Sequence, residues 1–194
     1  RRLPALIFFV ACSCPAPAAA DWLLSPYVGL RFAADTNLLV RFSGTDESKF
    51  TFGSSFGLLT DGVFGVEADV AFVPGFFESA SITHGGGVTT IMGNVLVAVP
   101  LDATQYGLGP YFVVGAGIMH ASGTSDFLLE TLIDSTVFGL NVGGGAIGPI
   151  SPRSSLRFDV RYFRNASSDE SPTFTTGRLR ISFWRATAGL AFRF

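Results

Sequence analysis

The amino-acid sequence predicts an all-β protein, an eight-stranded antiparallel up-and-down transmembrane β-barrel. Three observations indicate this fold class. Apolar and polar residues alternate with a period of two along eight segments. The 23 glycines and 20 phenylalanines suit many short strands joined by tight turns. The chain is 48% hydrophobic and only 14% charged, yet after residue 20 it has no run of about 20 apolar residues that could form a transmembrane helix.

The first four segments alternate large apolar residues with small or polar ones. Their apolar faces comprise Trp22, Leu24, Val28, Leu30 and Phe32; then Phe50, Phe52, Phe56 and Leu58; then Phe64, Val66, Ala68, Val70 and Phe72; then Ile91, Val95, Val97 and Val99. The opposite faces include Tyr27 and Arg31, Gly53 and Ser55, Glu67 and Asp69, and Thr90 and Asn94. Proline is tolerated near a strand start, so Pro26 is compatible with the first segment.

The fifth segment, Tyr111 to His120, is apolar on both faces, and we place Gly115 and Gly117 inward because glycines face inward in the other segments. The sixth and seventh segments alternate clearly. Their apolar faces are Phe138, Leu140 and Val142, then Leu156, Phe158, Val160 and Tyr162, and their opposite faces carry Gly139, Asn141, Gly143 and Gly145, then Arg157, Asp159 and Arg161.

The eighth segment runs to the C-terminus. One face carries Trp184, Ala186, Ala188, Leu190, Phe192 and Phe194, and the other carries Arg185, Thr187, Gly189 and Arg193. Such a strand resembles the terminal strand of Gram-negative outer-membrane barrels, which the barrel assembly machinery recognises by its last aromatic residue. The resemblance implies that Phe192 and Phe194 form the assembly signal. A closed barrel also requires this strand to pair with the first one.

Long polar connections alternate with shorter ones. The long connections run from Ala34 to Lys49, Pro74 to Gly87, Ala121 to Ser135 and Asn165 to Gly177, and the shorter ones from Thr60 to Gly62, Pro100 to Gly109 and Gly148 to Ser155. This pattern predicts four loops outside the cell, three turns in the periplasm and both termini in the periplasm.

The soluble alternative is a lipocalin-like barrel or a β-sandwich, in which the apolar face would point inward and the polar face would meet water. The polar face here consists mostly of glycine, small residues and charges of both signs, and Lys49 is the only lysine. That composition suits a narrow interior better than a solvated surface. Aromatic residues also gather at strand ends, where the interfacial girdles of a membrane barrel are expected.

Residues 1–20 are predicted to be a signal peptide, with Arg1 and Arg2 before an apolar run and Ala18-Ala19-Ala20 as the cleavage site. The barrel domain is then residues 21–194. Cys12 and Cys14 are the only cysteines, so the mature chain has no thiol; a lipoprotein acylated at one of them is the alternative. Loss of Arg1 and Arg2 leaves 11 basic against 15 acidic residues, a net charge of −4 that argues against nucleic-acid binding.

Several motifs together resemble the small outer-membrane β-barrel proteins often labelled porin-family or OmpA-like barrel domain. They are Phe64 to Val70, Pro74 to Phe77, Val88 to Val95, Asn141 to Gly145, Asp159 to Arg164 and Phe183 to Thr187. The resemblance covers nearly the whole mature chain and implies an eight-stranded barrel. Unlike full OmpA, this sequence is expected to comprise the barrel without a peptidoglycan-binding domain.

Eight charged residues are predicted to face the lumen: Arg31, Glu67, Asp69, Arg157, Asp159, Arg161, Arg185 and Arg193. They could line a conduit for ions or fill the interior as a structural network. We favour the network, because alternating Arg-x-Asp-x-Arg on one strand suits internal pairing and an eight-stranded barrel is just wide enough for its own side chains. Glu67 and Asp69 are expected to reach Arg161 and also Arg157 across the axis.

His120-Ala121-Ser122 has the His-x-Ser spacing of outer-membrane lipid A deacylases, with Glu130 as a possible orienting acid. Gly123 departs from the longer motif of that family, and we interpret these residues as polar residues at the base of a loop. His84 beside three glycines is expected in another loop. Asp126, Glu130 and Asp134 could bind a divalent cation together with the lipopolysaccharide layer, but they lack the spacing of a calcium loop and we interpret them as a solvated loop. The sequence predicts no catalytic site, no metal site and no cofactor.

The sequence therefore predicts a non-enzymatic outer-membrane barrel for envelope integrity and surface loop presentation. A narrow channel for ions or very small solutes is the first alternative, and a lipid A-modifying enzyme is the second. The expected partners are outer-membrane lipids and lipopolysaccharide, the barrel assembly machinery and periplasmic chaperones, and the barrel is expected to be a monomer.

Overall fold

The structure is a closed antiparallel barrel of eight strands. It is a computed structural model and describes residues 20–36, 48–60, 63–75, 83–99, 108–125, 131–166 and 181–194. The strands are β1 (Ala20–Thr36), β2 (Lys49–Thr60), β3 (Phe64–Pro74), β4 (Thr83–Ala98), β5 (Gly109–Ser125), β6 (Thr131–Ser151), β7 (Ser154–Asn165) and β8 (Ile181–Arg193). Each strand pairs with its neighbour in sequence, and β8 pairs with β1. The predicted fold class is confirmed.

The outer surface is apolar and the interior is polar at its centre. Large side chains of the predicted apolar faces point outward, with Val28 52% exposed, Phe64 62% and Phe112 54%. Residues between them, such as Thr51, Asp69 and Asn141, are buried inside. On β5 the odd-numbered residues face inward, with Val113 and Met119 fully buried on either side of Gly115 and Gly117, so the inward placement of these two glycines is confirmed.

The β5–β6 hairpin extends further than the sequence predicts. Polar composition suggested a loop from Ala121 to Ser135, but cross-strand pairing continues from His120 and Thr136 to Ser125 and Thr131. Likewise β4 begins at Thr83, so His84 and the glycines after it lie in a strand and the expectation of a loop there was wrong. Backbone pairing along a neighbour thus extends strands into segments whose side chains look loop-like.

The seam between β1 and β8 is irregular at two points. Pairing is interrupted at Ser25 and Pro26, between the pairs Leu24–Phe192 and Tyr27–Gly189, because proline has no N–H to donate. Between Phe32 and Asp35 the register shifts. There Ala33 adopts a positive φ of 46°, as the bulged residue of an antiparallel pair can.

Aromatic pairs stand on the outer face. Trp22 stacks on Phe56 with ring centroids 5.0 Å apart, Phe52 meets Phe72 edge-on at 5.7 Å, and Tyr162 meets Trp184 at 5.2 Å. These pairs join neighbouring strands on the surface and resemble the girdles that the sequence predicts.

Among the residues that the structure describes, no helix is long and apolar enough to cross a membrane.

Candidate functional site: the charged interior

Three layers fill the interior along the barrel axis. At the end that holds the chain's C-terminus, Leu96, Tyr111 and Val113 form a small apolar cluster. At the opposite end, a larger apolar cluster contains Val73, Val88, Met92, Met119, Ala121, Phe163, Ile181 and Phe183, with the rings of Phe163 and Phe183 stacked 4.9 Å apart. The charged residues of β3, β7 and β8 lie between these two clusters.

Glu67 lies at the centre of the charged layer. Its Oε2 accepts a hydrogen bond from Arg157 at 2.5 Å, and its Oε1 accepts one from Arg161 at 3.0 Å. Asn94 donates to the same Oε1 at 3.0 Å, and Asn141 in turn donates to Asn94 at 2.8 Å. Glu67 therefore links β3 to β7 across the lumen and to β4 and β6 along the wall.

Asp159 holds the two arginines of its own strand. Its Oδ1 accepts from Nε of Arg161 at 2.7 Å, and its Oδ2 accepts from Arg161 at 2.7 Å and from Arg157 at 3.1 Å. The hydroxyl of Tyr111 donates to Oδ2 at 2.5 Å and accepts from Nε of Arg157 at 2.8 Å. Charge-assisted, bidentate contacts of this kind are the stronger hydrogen bonds of protein interiors.

A second group joins β1, β3 and β8. Asp69 accepts from Arg185 at 2.8 Å and from the hydroxyl of Tyr27 at 2.6 Å. The guanidinium of Arg185 lies between two rings, 5.2 Å from the centroid of Tyr27 and 4.6 Å from that of Phe163. Stacking on aromatic faces is a common way to accommodate a buried guanidinium.

Seven of the eight predicted lumen residues are buried, each with at most 7% of its surface exposed: Arg31, Glu67, Asp69, Arg157, Asp159, Arg161 and Arg185. Arg193 is exposed instead, because β8 ends at this residue and the wall no longer encloses its side chain. The pairing also differs in one respect from our expectation: Glu67 contacts both arginines of β7, whereas the ion pair of Asp69 is to Arg185.

Sequence reasoning did not single out the uncharged members of the network, Tyr27, Tyr111, Asn94 and Asn141. All four lie at inward-facing positions of the period-two pattern, and this position was the signal in the sequence that could have identified them. The two tyrosines lie across glycines: a Cβ at Gly53 would lie 2.6 Å from the hydroxyl oxygen of Tyr27, and one at Gly145 would lie 2.6 Å from that of Tyr111. Glycine at these two positions lets each tyrosine reach its aspartate.

The network leaves little free space. A cavity beside β1 and β8, lined by Tyr27, Asp69, Arg161 and Arg185 among others, has a volume of about 10 Å³. A second cavity, between the charged layer and Leu96, has about 20 Å³. Each has room for about one water molecule. The three arginines and three acids that form the ion pairs of this layer balance in charge.

Comparison with known proteins decides the family. The family model described as "Outer membrane protein beta-barrel domain" matches residues 5–194. The chain belongs to this family. Membership places the protein in the outer membrane of bacteria, and the proteins that share this fold are mostly non-enzymatic barrels. Among the curated proteins, none matches the chain.

Solved structures of outer-membrane barrels share the fold. Neisserial surface protein A (NspA) matches with a TM-score of 0.65 and 17% identity, over 91% of this chain and 99% of its own. OprG from Pseudomonas aeruginosa matches with 0.55 and 13%, over 91% and 96%. A major outer membrane protein from Thermus thermophilus matches with 0.53 and 18%, over 91% and 100%. At these identities the likeness concerns the barrel fold alone.

In this outer-membrane barrel, the His-x-Ser pair lies within β5 and so is not at the base of a loop. His120 is partly exposed and its Nδ1 lies 2.9 Å from Oγ1 of Thr136 on β6; Ser122 is exposed. Asp134 is in β6, whereas Asp126 and Glu130 lie outside the described residues. Across the described ranges, no three His, Cys, Asp or Glu side chains come close enough to hold a metal ion.

The proposed assembly signal lies at the seam. Phe192 pairs with Leu24 across β1 and β8, and the backbone N–H of Phe194 donates to the carbonyl of Trp22 at 3.0 Å. Phe192 is 37% exposed and Phe194 75% exposed on the outer face. Both rings are therefore accessible from outside the barrel, and their role in assembly stays a prediction.

Proposed function

We propose that this protein is a non-enzymatic structural barrel of the outer membrane, which contributes to envelope integrity and displays its four long connections at the cell surface. The observation that carries the proposal is the packing of the interior. Buried ion pairs at its centre lie between two apolar clusters. The two cavities beside them, of about 10 and 20 Å³ among the described residues, are each too small for a hydrated ion.

The polarity of the network also supports a closed lumen. Ion-selective pores commonly carry rings of charge of one sign. Here Arg157, Asp159 and Arg161 alternate in sign along β7, and Glu67 on β3 accepts hydrogen bonds from both arginines. These groups therefore pair across the lumen and do not form a ring of one sign.

Planar-bilayer recording tests the proposal against the channel alternative. Refolded protein should give no steady conductance, because the ion-pair layer closes the barrel. The Glu67→Ala variant, which removes two ion pairs at the centre, should conduct more often than the parent. A wide and steady pore in the parent protein would make the channel the better assignment.

Surface display can be tested with single cysteines, because the chain has no cysteine after Cys14. Ser43→Cys, in the first long connection, should react on intact cells with a maleimide that does not cross the outer membrane. Thr104→Cys, in a connection at the opposite end of the strands, is the matched control and should react only after the outer membrane is permeabilised. The reverse pattern would overturn the proposed orientation.

The proposed partners follow from the surface. The apolar outer face, with exposed residues such as Val28, Val66 and Val114, suits lipid acyl chains, and the aromatic pairs suit the interface with lipopolysaccharide and phospholipid head groups. Periplasmic chaperones and the barrel assembly machinery would act before insertion. A monomer suffices, because the closed strand order leaves no strand of the barrel without two neighbours.

A further inference from the structure

Three residues that lie close together inside the barrel each carry a buried polar atom that has no hydrogen-bond partner within the described part of the chain. These atoms are one terminal nitrogen, Nη1, of Arg161, the corresponding nitrogen of Arg185, and Oγ of Ser25. Their residues are 2%, 2% and 1% exposed, so bulk solvent does not reach them. Buried donors without a partner are rare in native proteins because each one costs free energy, and each needs a specific explanation.

The same three residues line one cavity. It has a volume of about 10 Å³ and is also bordered by Tyr27, Ser55, Asp69, Arg157, Asp159, Thr187 and Gly189. About 10 to 15 Å³ is the least volume that holds one water molecule, and such a water needs two to four polar partners. The cavity therefore has the size and the polar lining for a single water.

The arrangement of the two arginines explains why their Nη1 groups have no protein partner among the described residues. Arg161 and Arg185 are direct cross-strand neighbours on β7 and β8. Arg161 donates hydrogen bonds from Nε and Nη2 to Asp159 and Glu67, and Arg185 donates one from Nη2 to Asp69. The cavity is bordered by no third acid for the inner nitrogens, since the two guanidinium groups occupy adjacent positions and face the same small space.

Three arginines and two acids border the cavity, so it is the hydrogen-bonding groups of the lining, and not its charge, that favour a neutral ligand over an anion. Asp69 and Asp159 border the cavity together with the arginines, and their oxygens have lone pairs that can accept hydrogen bonds from a water. A halide ion could accept from the guanidinium groups, but it has no hydrogen to donate to the carboxylates and would be repelled by them.

We propose that this cavity is a binding site for one structural water, which accepts hydrogen bonds from Nη1 of Arg161 and of Arg185, contacts Oγ of Ser25 and donates to the carboxylate of Asp69 or Asp159. The water links the hydrogen-bonded residues around Asp159 to those around Asp69. It thereby makes one network out of the ion pairs of β3, β7 and β8.

A high-resolution crystal structure of the full chain, grown in sodium bromide, tests this site directly. We expect one water-sized density peak within about 3.2 Å of both Nη1 atoms, with no anomalous signal at the bromine edge. An anomalous bromide peak there would replace the water with an anion site and overturn the proposal. A cavity without density would overturn it as well.

Water-to-protein cross-relaxation NMR in detergent micelles gives a second test. The parent should show long-lived water cross-peaks to the side chains of Arg161 and Arg185. Ser25→Val fills the cavity with a larger apolar group and should abolish them, whereas Ser54→Val, the same change on a partly exposed residue cross-strand from Pro26, should keep them. Ser25→Ala, which adds no bulk to the cavity, should also keep them. A parent protein without these cross-peaks, or a Ser25→Val variant that folds and retains them, would contradict the site.

Discussion

Glu67 accepts hydrogen bonds from Arg157, Arg161 and Asn94, and only 6% of its surface is exposed. Replacing a buried ion pair as a whole is often nearly neutral, whereas removing one partner leaves a buried charge without compensation. Glu67 therefore stabilises the barrel mainly because its removal would leave Arg157 and Arg161 of β7 buried without this acid.

Glu67→Ala should lower the free energy of unfolding by about 3 to 5 kcal/mol, because two buried guanidinium groups lose an acid. The double variant Glu67→Ala with Arg161→Ala should recover part of this loss, since it also removes one of the stranded charges. Urea unfolding in lipid vesicles, followed by tryptophan fluorescence, measures all variants. Arg164→Ala is the control at an exposed arginine of β7 and should change stability by about 0.5 kcal/mol or less. Additive losses at positions 67 and 161 would show that the two residues do not interact.

The inward position of the charged residues on β3, β7 and β8 was predictable from the sequence, because the period of two assigns every residue of a strand to one face. Their partners were not. Asp69 pairs with Arg185 instead of Arg161, because the lumen is narrow enough for these neighbouring arginines to compete for the same carboxylate. The distance from each arginine to Asp69 depends on how β8 is placed relative to β3. The roles of Tyr27 and Tyr111 depend on the same distances.

At the scale of the element, paired strands around Gly53 and Gly145 show how small residues shape the interior. Tyr27 on β1 crosses Gly53 on β2 to reach Asp69 on β3, and Tyr111 on β5 crosses Gly145 on β6 to reach Asp159 on β7. The two sets of strands lie four positions apart in the ring. A hydrogen bond from a tyrosine, across a glycine, to an aspartate thus stabilises the barrel wall on opposite sides.

Gly145→Ala should destabilise the barrel, because the new Cβ would clash with the Tyr111 hydroxyl and with the carbonyl of Phe158. Overpacking of this kind costs about 1 to 3 kcal/mol. The control is Gly93→Ala, where the nearest atom would be a carbonyl oxygen 3.8 Å away, and this change should be neutral or stabilising. Denaturant titration compares the two variants, and equal effects would mean that the tyrosine does not depend on the glycine.

The last strand carries the prediction about assembly. Deletion of Phe194 should impair insertion into the outer membrane of cells far more than refolding into detergent, because the loss concerns recognition by the assembly machinery. Inside the barrel the deletion removes a backbone hydrogen bond, from Phe194 to Trp22. Quantitative blotting of outer-membrane fractions, beside refolding yields in vitro, measures both effects. Normal outer-membrane levels of the truncated chain would argue against a signal at this residue.

At the scale of the whole molecule, alternation in eight segments was sufficient to predict the strand number and closure, because a membrane-spanning sheet cannot leave an edge unpaired. Strand lengths were harder to predict. β6 runs from Thr131 to Ser151, well beyond its apolar stretch, because β5 pairs along most of its length. Polar residues such as Ser122 and Ser135 look like loop residues in sequence, yet their backbones pair across the hairpin.

Closure also determines how the molecule should respond to detergent. Every strand has two hydrogen-bonded neighbours, including β1 and β8 at the seam, so sodium dodecyl sulfate finds no open edge at which unfolding could begin. The folded protein should therefore remain compact in this detergent until it is boiled, and unboiled and boiled samples should migrate differently on a gel. Pro26→Ala restores a backbone donor where the β1–β8 pairing is interrupted, and it should raise the temperature at which the folded band disappears. Equal mobility of both samples, together with solubility in buffer without detergent, would contradict a membrane barrel and favour the soluble fold.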